Sequence, residues 1–186
     1  MTNPNRTALK GLFCFLILHF TIHAAPAQER VRAGLELDVL PYITGGYFGA
    51  IWAGKGHVRG RALFAKVNMP EFIVPDGFRN NTIRSYALVG DYFMKADQTG
   101  VWISGGFVLW DGKIQTDQEL ETASYRSFLI NGSLGYALNL SPKFYLSPWA
   151  GLSLRVGGDQ NIMADGQNYD PPFLNPELSL KLGYRF

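Results

Sequence analysis

The residues that could do chemistry in this chain are charges spaced two apart. Glu36 and Asp38 form one such pair, and Arg59 and Arg61 form another. In an extended strand, residues two apart point to the same face. Each pair therefore sets like charges side by side, and opposite charges must face them. Asp91 and Glu177 add acids, while Arg155, Lys181 and Arg185 add bases, each flanked by apolar or small neighbours. In a narrow interior these side chains would form ion pairs, since a desolvated charge must be paired. A proton or ion path is the alternative, although a selective channel would more readily show a ring of one sign.

Catalysis finds little to work with. Acyl chemistry usually sets a general base beside a hydroxyl nucleophile. His19 and His23 fall in the amino-terminal segment, and His57 closes the turn Lys55-Gly56-His57. No His, Cys or carboxylate cluster has metal-ligand spacing, and no glycine motif is of the phosphate-cradling kind. The sequence predicts no catalytic, cofactor or metal site.

The elements that must position these charges alternate with a period of two. Arg32 to Ile43 puts Leu35, Leu37, Val39 and Pro41 on one face and Glu36 and Asp38 on the other. Thr44-Gly45-Gly46 then reads as a tight connection. Tyr47 to Gly54 is a second strand whose parity stays open, because both faces carry large residues. Val58 to Val67 opposes Arg59 and Arg61 to Val58, Ala62 and Phe64. Ile83 to Phe93, Val101 to Trp110, Ser127 to Leu140, Phe144 to Val156 and Pro176 to Phe186 follow, which makes eight strands. Long polar connections span Asn68 to Thr82, Asp111 to Arg126 and Gly157 to Asn175, and short ones fall between them. Only the first connection breaks this long–short order.

The amino terminus and the composition narrow the class. Arg6 and Lys10 precede the apolar run Leu12 to Ile22, and Ala25-Pro26-Ala27 supplies a small-residue cleavage site. That order is a secretory signal peptide over residues 1–27, too short for a spanning helix of about 20 residues. The remainder, 28–186, has 186 − 27 = 159 residues and no cysteine, since Cys14 lies in the leader. Removing Arg6 and Lys10 leaves 17 − 2 = 15 bases against 15 acids. Zero net charge argues against a nucleic-acid partner. An exported chain without apolar helices enters a membrane only as a closed barrel, because open sheet edges are not tolerated in lipid.

The closing segment, PELSLKLGYRF, carries a resemblance. Leu178, Leu180, Leu182, Tyr184 and Phe186 share one face, against Glu177, Ser179, Lys181, Gly183 and Arg185. This resembles the C-terminal strand of bacterial outer-membrane β-barrels, and the whole pattern resembles small OmpA- or OmpX-type barrels. The resemblance implies an all-β, eight-stranded, antiparallel, up-and-down transmembrane barrel. It also implies that Leu178, Leu180, Leu182, Tyr184 and Phe186 act as an assembly signal read by the barrel-assembly machinery. A soluble barrel of the lipocalin kind would turn its apolar faces inward instead.

The expected protein is thus a monomeric, non-enzymatic outer-membrane barrel. Its partners are membrane lipid, the assembly machinery and an unidentified ligand of the extracellular loops. The lumen charges are Glu36, Asp38, Asp91 and Glu177 with Arg59, Arg61, Arg155, Lys181 and Arg185. Closure makes the first and last strands neighbours, so Glu36 or Asp38 is expected to meet Lys181 or Arg185. Phe72-Ile73-Val74 and Phe173-Leu174 are apolar islands in the loops, fit either to fold onto the rim or to bind a partner. The alternative functions are a lipid A-modifying enzyme and, further off, a small channel. Of the two known enzyme kinds, the deacylase resembles a His-x-Ser arrangement, which is missing here.

Overall fold

The structure, a computed structural model, describes residues 30–118 and 121–186. The expected leader over residues 1–27 lies outside the described residues. The strands are β1 (Arg32–Asp38), β2 (Tyr47–Lys55), β3 (Val58–Asn68), β4 (Phe78–Phe93), β5 (Gly100–Thr116), β6 (Thr122–Asn139), β7 (Phe144–Gly158), β8 (Ile162–Ala164), β9 (Gln167–Tyr169) and β10 (Leu174–Arg185). A helix, α1 (Val39–Ile43), follows β1. Every strand except β8 and β9 joins one ring, in the order β1-β10-β7-β6-β5-β4-β3-β2. Closure satisfies the backbone of every strand in the ring, so it leaves no edge for lipid to meet.

The register fixes the barrel's shape. A row of opposed residues runs from Gly34 through Trp52, Arg61, Val89, Gly106, Asn131 and Ser153 to Asn175 on β10. Gly34 also faces Arg185 on β10, so one circuit climbs 185 − 175 = 10 residues. A stagger of that size tilts the strands by about 40° from the barrel axis, and an eight-stranded barrel has room inside only for side chains.

Several boundaries differ from the sequence expectation. The first strand stops at Asp38 rather than Ile43. Its carboxylate accepts from the Leu40 amide at 3.3 Å and caps α1, and Pro41 has no N–H to give a ladder. The first connection is therefore a helical one, at the same end of the barrel as those after β3, β5 and β7. Of these four only the connection after β5, over residues 117–121, is as short as the turns at the other end. The polar stretch Asp111 to Arg126 is mostly hairpin, with pairing continuous from Asp111 opposite Arg126 to Gln115 opposite Thr122. Polar residues on both faces hid these strand ends, since a strand rising above an apolar belt needs no apolar face. Inside the third long connection, β8 and β9 form a small hairpin. A register shift between Phe128 and Leu129, where β6 meets β7, marks the end of regular pairing.

The faces are inverted relative to a soluble barrel. Leu35, Ile51, Val58, Leu88, Phe107, Leu134 and Leu178 are exposed outside, whereas Glu36, Asp38, Arg59, Arg61, Asp91 and Lys181 are buried inside. The open parity of β2 resolves with Phe48, Ala50 and Trp52 inward and Tyr47 and Ile51 outward. Outward aromatics border the belt at both ends. Tyr47, Phe64 and Tyr86 pack in series at 5.4 and 5.1 Å near the long connections. Phe144, Tyr184 and Phe186 do so at 5.1 and 5.6 Å at the opposite end. Such girdles mark the two membrane interfaces of a spanning barrel.

Candidate functional site: a charged and aromatic lumen

The short spacing of Arg59 and Arg61 on β3 aims both guanidinium groups into the lumen. Glu36 on β1 and Asp91 on β4 each bridge both of them. Glu36 contacts Arg59 at 3.0 Å and Arg61 at 2.8 Å, and Asp91 contacts them at 2.7 and 2.9 Å. The result is a neutral ring of four charges, fully removed from solvent. The Tyr145 hydroxyl donates to Glu36 at 2.6 Å and accepts from Arg59 at 3.0 Å. Bridging geometry, in which each carboxylate gives one oxygen to each guanidinium, supplies each charge with two partners in place of water.

Aromatic faces enclose the ring. The Arg59 guanidinium lies 5.0 Å from the Trp52 ring and 4.9 Å from Phe93. Arg61 lies 5.6 Å from Trp102. These aromatics belong to one buried cluster of Trp52, Phe93, Trp102, Ala137 and Tyr145. Inward glycines make room for rings of this cluster and for Tyr125. Gly34 faces Trp52, Gly112 faces Tyr125, Gly135 faces Trp102 and Gly183 faces Tyr145 across adjacent strands. At each of these glycines a Cβ would come within 2.0–2.5 Å of the opposing ring. The glycines are inward because an aromatic lies flat across the backbone beside them.

Both mouths carry side chains. At the short-turn end, buried Gln98 donates to the Val58 carbonyl at 3.4 Å, and Arg185 reaches Asn139 at 2.7 Å. At the other end Val74, Ile114, Tyr125 and Tyr169 form a second buried cluster. Tyr125 donates to Asn81 at 2.8 Å, and the Asn81 amide donates to Tyr169 at 3.4 Å. Thr116 also hydrogen-bonds Asp165 in the β8–β9 hairpin. Burial raises the Tyr169 phenol above its ordinary pKa in the cluster that covers this end.

The expected lumen charges divide into groups. Glu36, Arg59, Arg61 and Asp91 form the ring. Asp38 and Lys181 are opposed across β1 and β10, yet they do not pair. Asp38 accepts from Trp149 Nε1 at 2.8 Å and from Ser179. Lys181 places its ammonium 4.2 Å from the Trp149 ring and 5.0 Å from Trp102. Neither Glu36 nor Asp38 therefore meets Lys181 or Arg185, because nearer indole and hydroxyl donors take Asp38 and longer guanidinium groups take Glu36. Glu177 accepts from Ser153 at 2.5 Å and Asn131 at 3.3 Å rather than from a cation. Arg155 leaves the lumen for the rim, where it pairs with Asp170 at 3.1 Å. His57 lies in the β2–β3 turn, donates from Nδ1 to the Phe93 carbonyl at 2.8 Å and stacks on Tyr92.

The residues expected to form an assembly signal, Leu178, Leu180, Leu182 and Phe186, are exposed on the outer face, with Tyr184 beside Phe186. The apolar islands split: Val74 is buried in the lid cluster, while Phe72, Ile73, Phe173 and Leu174 stay exposed. Sequence reasoning missed the lumen aromatics. The signal was parity, since Trp52 shares the face of Phe48, Phe93 that of Asp91, and Tyr145 that of Ser147.

An eight-stranded ring that is apolar outside and ionic inside is a membrane-spanning β-barrel in class. No family model matches the chain, and no curated protein matches it. Among solved structures the chain is similar to the crystal structure of Neisserial surface protein A. The identity is 13%, over 84% of this chain and 96% of that one, with a TM-score of 0.48.

Proposed function

We propose that this chain is a monomeric, non-enzymatic barrel of a bacterial outer membrane, exported by a cleaved leader and closed to ions along its axis. The observation that carries this reading is the neutral ring of Glu36, Arg59, Arg61 and Asp91 across a lumen wide enough only for side chains. A barrel filled at its waist supports a structural or surface-binding role, with the long connections turned outward as the contact surface. The exposed Phe72, Ile73 and Phe173 are the apolar contact points such loops would offer.

Two measurements test the reading. Purified monomer in planar bilayers should show no defined single-channel steps. Lipid A from cells with and without the protein should have the same mass spectrum. Steady channel steps would replace the reading with a pore. Loss or gain of an acyl chain on lipid A would replace it with a lipid-modifying enzyme.

A further inference from the structure

We propose that the outer wall of β3, β4 and β5 binds one phosphorylated lipid. Its phosphate would sit in a cationic cleft, and one acyl chain would lie in a glycine-floored groove beneath. The inference rests on the membrane-barrel reading above.

The cleft comes from cross-strand register. Outward-facing Lys66 on β3 is opposed to Arg84 on β4, Arg84 to Asp111 on β5, and Thr82 to Lys113 one step higher. Lys66, Arg84 and Lys113 line a cleft of about 760 Å³ together with amide and hydroxyl side chains such as Asn68 and Thr122. Among the described residues none of these three cations has an ion-pair partner. Glu71, the other acid at the cleft, is taken by Arg79 at 3.6 Å. Among the described lining residues Asp111 alone is left to offset the three cations. Guanidinium and ammonium groups set among neutral donors suit a phosphate, which Arg can hold bidentately.

The level of the cleft is that of a lipid headgroup. Two residues nearer the middle of the same strands are Phe64 and Tyr86, packed at 5.1 Å in the upper aromatic girdle. Basic side chains just beyond such a girdle attract anionic lipid.

The groove is a separate observation on the same strands. Outward Ala53, Gly60, Gly90 and Gly105 are directly opposed in series on β2 to β5. They floor an open groove of about 620 Å³ walled by Ile51, Leu88 and Phe107. A Cβ on Gly60 would meet nothing nearer than 4.0 Å, and one on Gly90 would meet nothing. Packing within the chain therefore does not call for glycine here, although glycine weakens a strand. An acyl chain seated in the groove accounts for it. Gly60 and Lys66 are six residues apart, roughly 20 Å along a strand. On a tilted strand that spans about 15 Å of depth, half of a hydrocarbon core.

Native mass spectrometry of the full barrel in detergent tests the site, with diphosphorylated lipid A, its dephosphorylated form, the deacylated phosphodisaccharide and inorganic phosphate as probes. The wild type should retain the phosphorylated lipid at least tenfold better than the dephosphorylated one. Lys66→Gln with Arg84→Gln and Lys113→Gln should abolish that preference. Gly90→Leu should weaken the acylated lipid and leave the deacylated head unchanged, and heat-modifiable gel mobility checks that both variants fold. Equal binding of both lipids, variants that bind as wild type does, or inorganic phosphate that competes as well as lipid would each overturn the site. Failure to insert into vesicles would instead overturn the membrane reading.

Discussion

Gly135 on β6 faces Trp102 on β5, and a Cβ on Gly135 would fall 2.4 Å from the indole ring. Gly90 is also a strand glycine, but it points outward, and a Cβ there would meet nothing within 4 Å. The same substitution should thus give opposite results. Gly135→Ala overpacks the lumen and should cost about 1–3 kcal/mol. Gly90→Ala removes only backbone freedom and should be neutral or stabilise by about 0.5 kcal/mol. Urea unfolding in lipid vesicles measures both. Equal effects at the two positions would show that the inward glycines are not spaces for rings.

The ionic ring makes a second prediction. Arg59→Ser with Arg61→Ser leaves Glu36 and Asp91 buried without their cations. Breaking a buried pair from one side costs about 3–5 kcal/mol, so stability should fall before conductance rises. Replacing all four charges with neutral residues of similar size should recover much of that loss, because no charge is then stranded. Current traces and urea midpoints on the same preparations separate the two effects. A stable, non-conducting Arg59→Ser and Arg61→Ser variant would show that the ring neither holds nor closes the lumen.

Orientation is a third. The long connections are expected outside the cell. Asp76, Thr122 and Asn168 are exposed at that end of the barrel, so single cysteines there should react with an impermeant thiol reagent on intact cells. Lys55, Lys95 and Lys143 occupy the short turns or their edges and are also exposed. Cysteines at these positions should react only after the outer membrane is broken. The reverse pattern would invert the barrel and move the cationic cleft to the inner leaflet.

Strand count and facing were legible because outward residues such as Leu178, Leu180 and Leu182 obey a single constraint, lipid on one side. The ends of strands were not. Beyond the girdle both faces of β5 and β6 meet water or lid, so Lys113 and Ser124 carry no periodic mark although they are directly opposed. Pairing inside the lumen was also illegible. The Asp38–Lys181 register follows from closure, but the side chains each one reaches depend on Trp149 and Ser179, whose positions only the full ring defines. The ring itself joins β3 to its paired neighbour β4, where Arg59 is opposed to Asp91, and to β1, two strands away, which the small girth of the barrel brings within reach.

The final prediction concerns Phe186. The residue is 76% exposed, with its ring packed edge-on to Tyr184 at 5.6 Å. Its amide donates to the Ala33 carbonyl at 3.0 Å, so it adds one backbone bond to a seam already paired from Gly34–Arg185 to Asp38–Lys181. Burial of one aromatic in lipid is worth about 1.5–3 kcal/mol, and one hydrogen bond about 0.5–1.5 kcal/mol. Neither is enough to dissolve a ring of eight strands. Deleting Phe186 should therefore leave refolding from urea into lipid intact, with only a modest drop in midpoint. The amount of barrel assembled in cells should fall much further, if recognition by the assembly machinery is the stronger role. Quantifying the heat-modifiable form from cells beside the refolded yield in vitro compares the two directly. Normal assembly in cells would remove the recognition role. Failure to refold in vitro would show instead that the β1–β10 seam depends on this residue for closure.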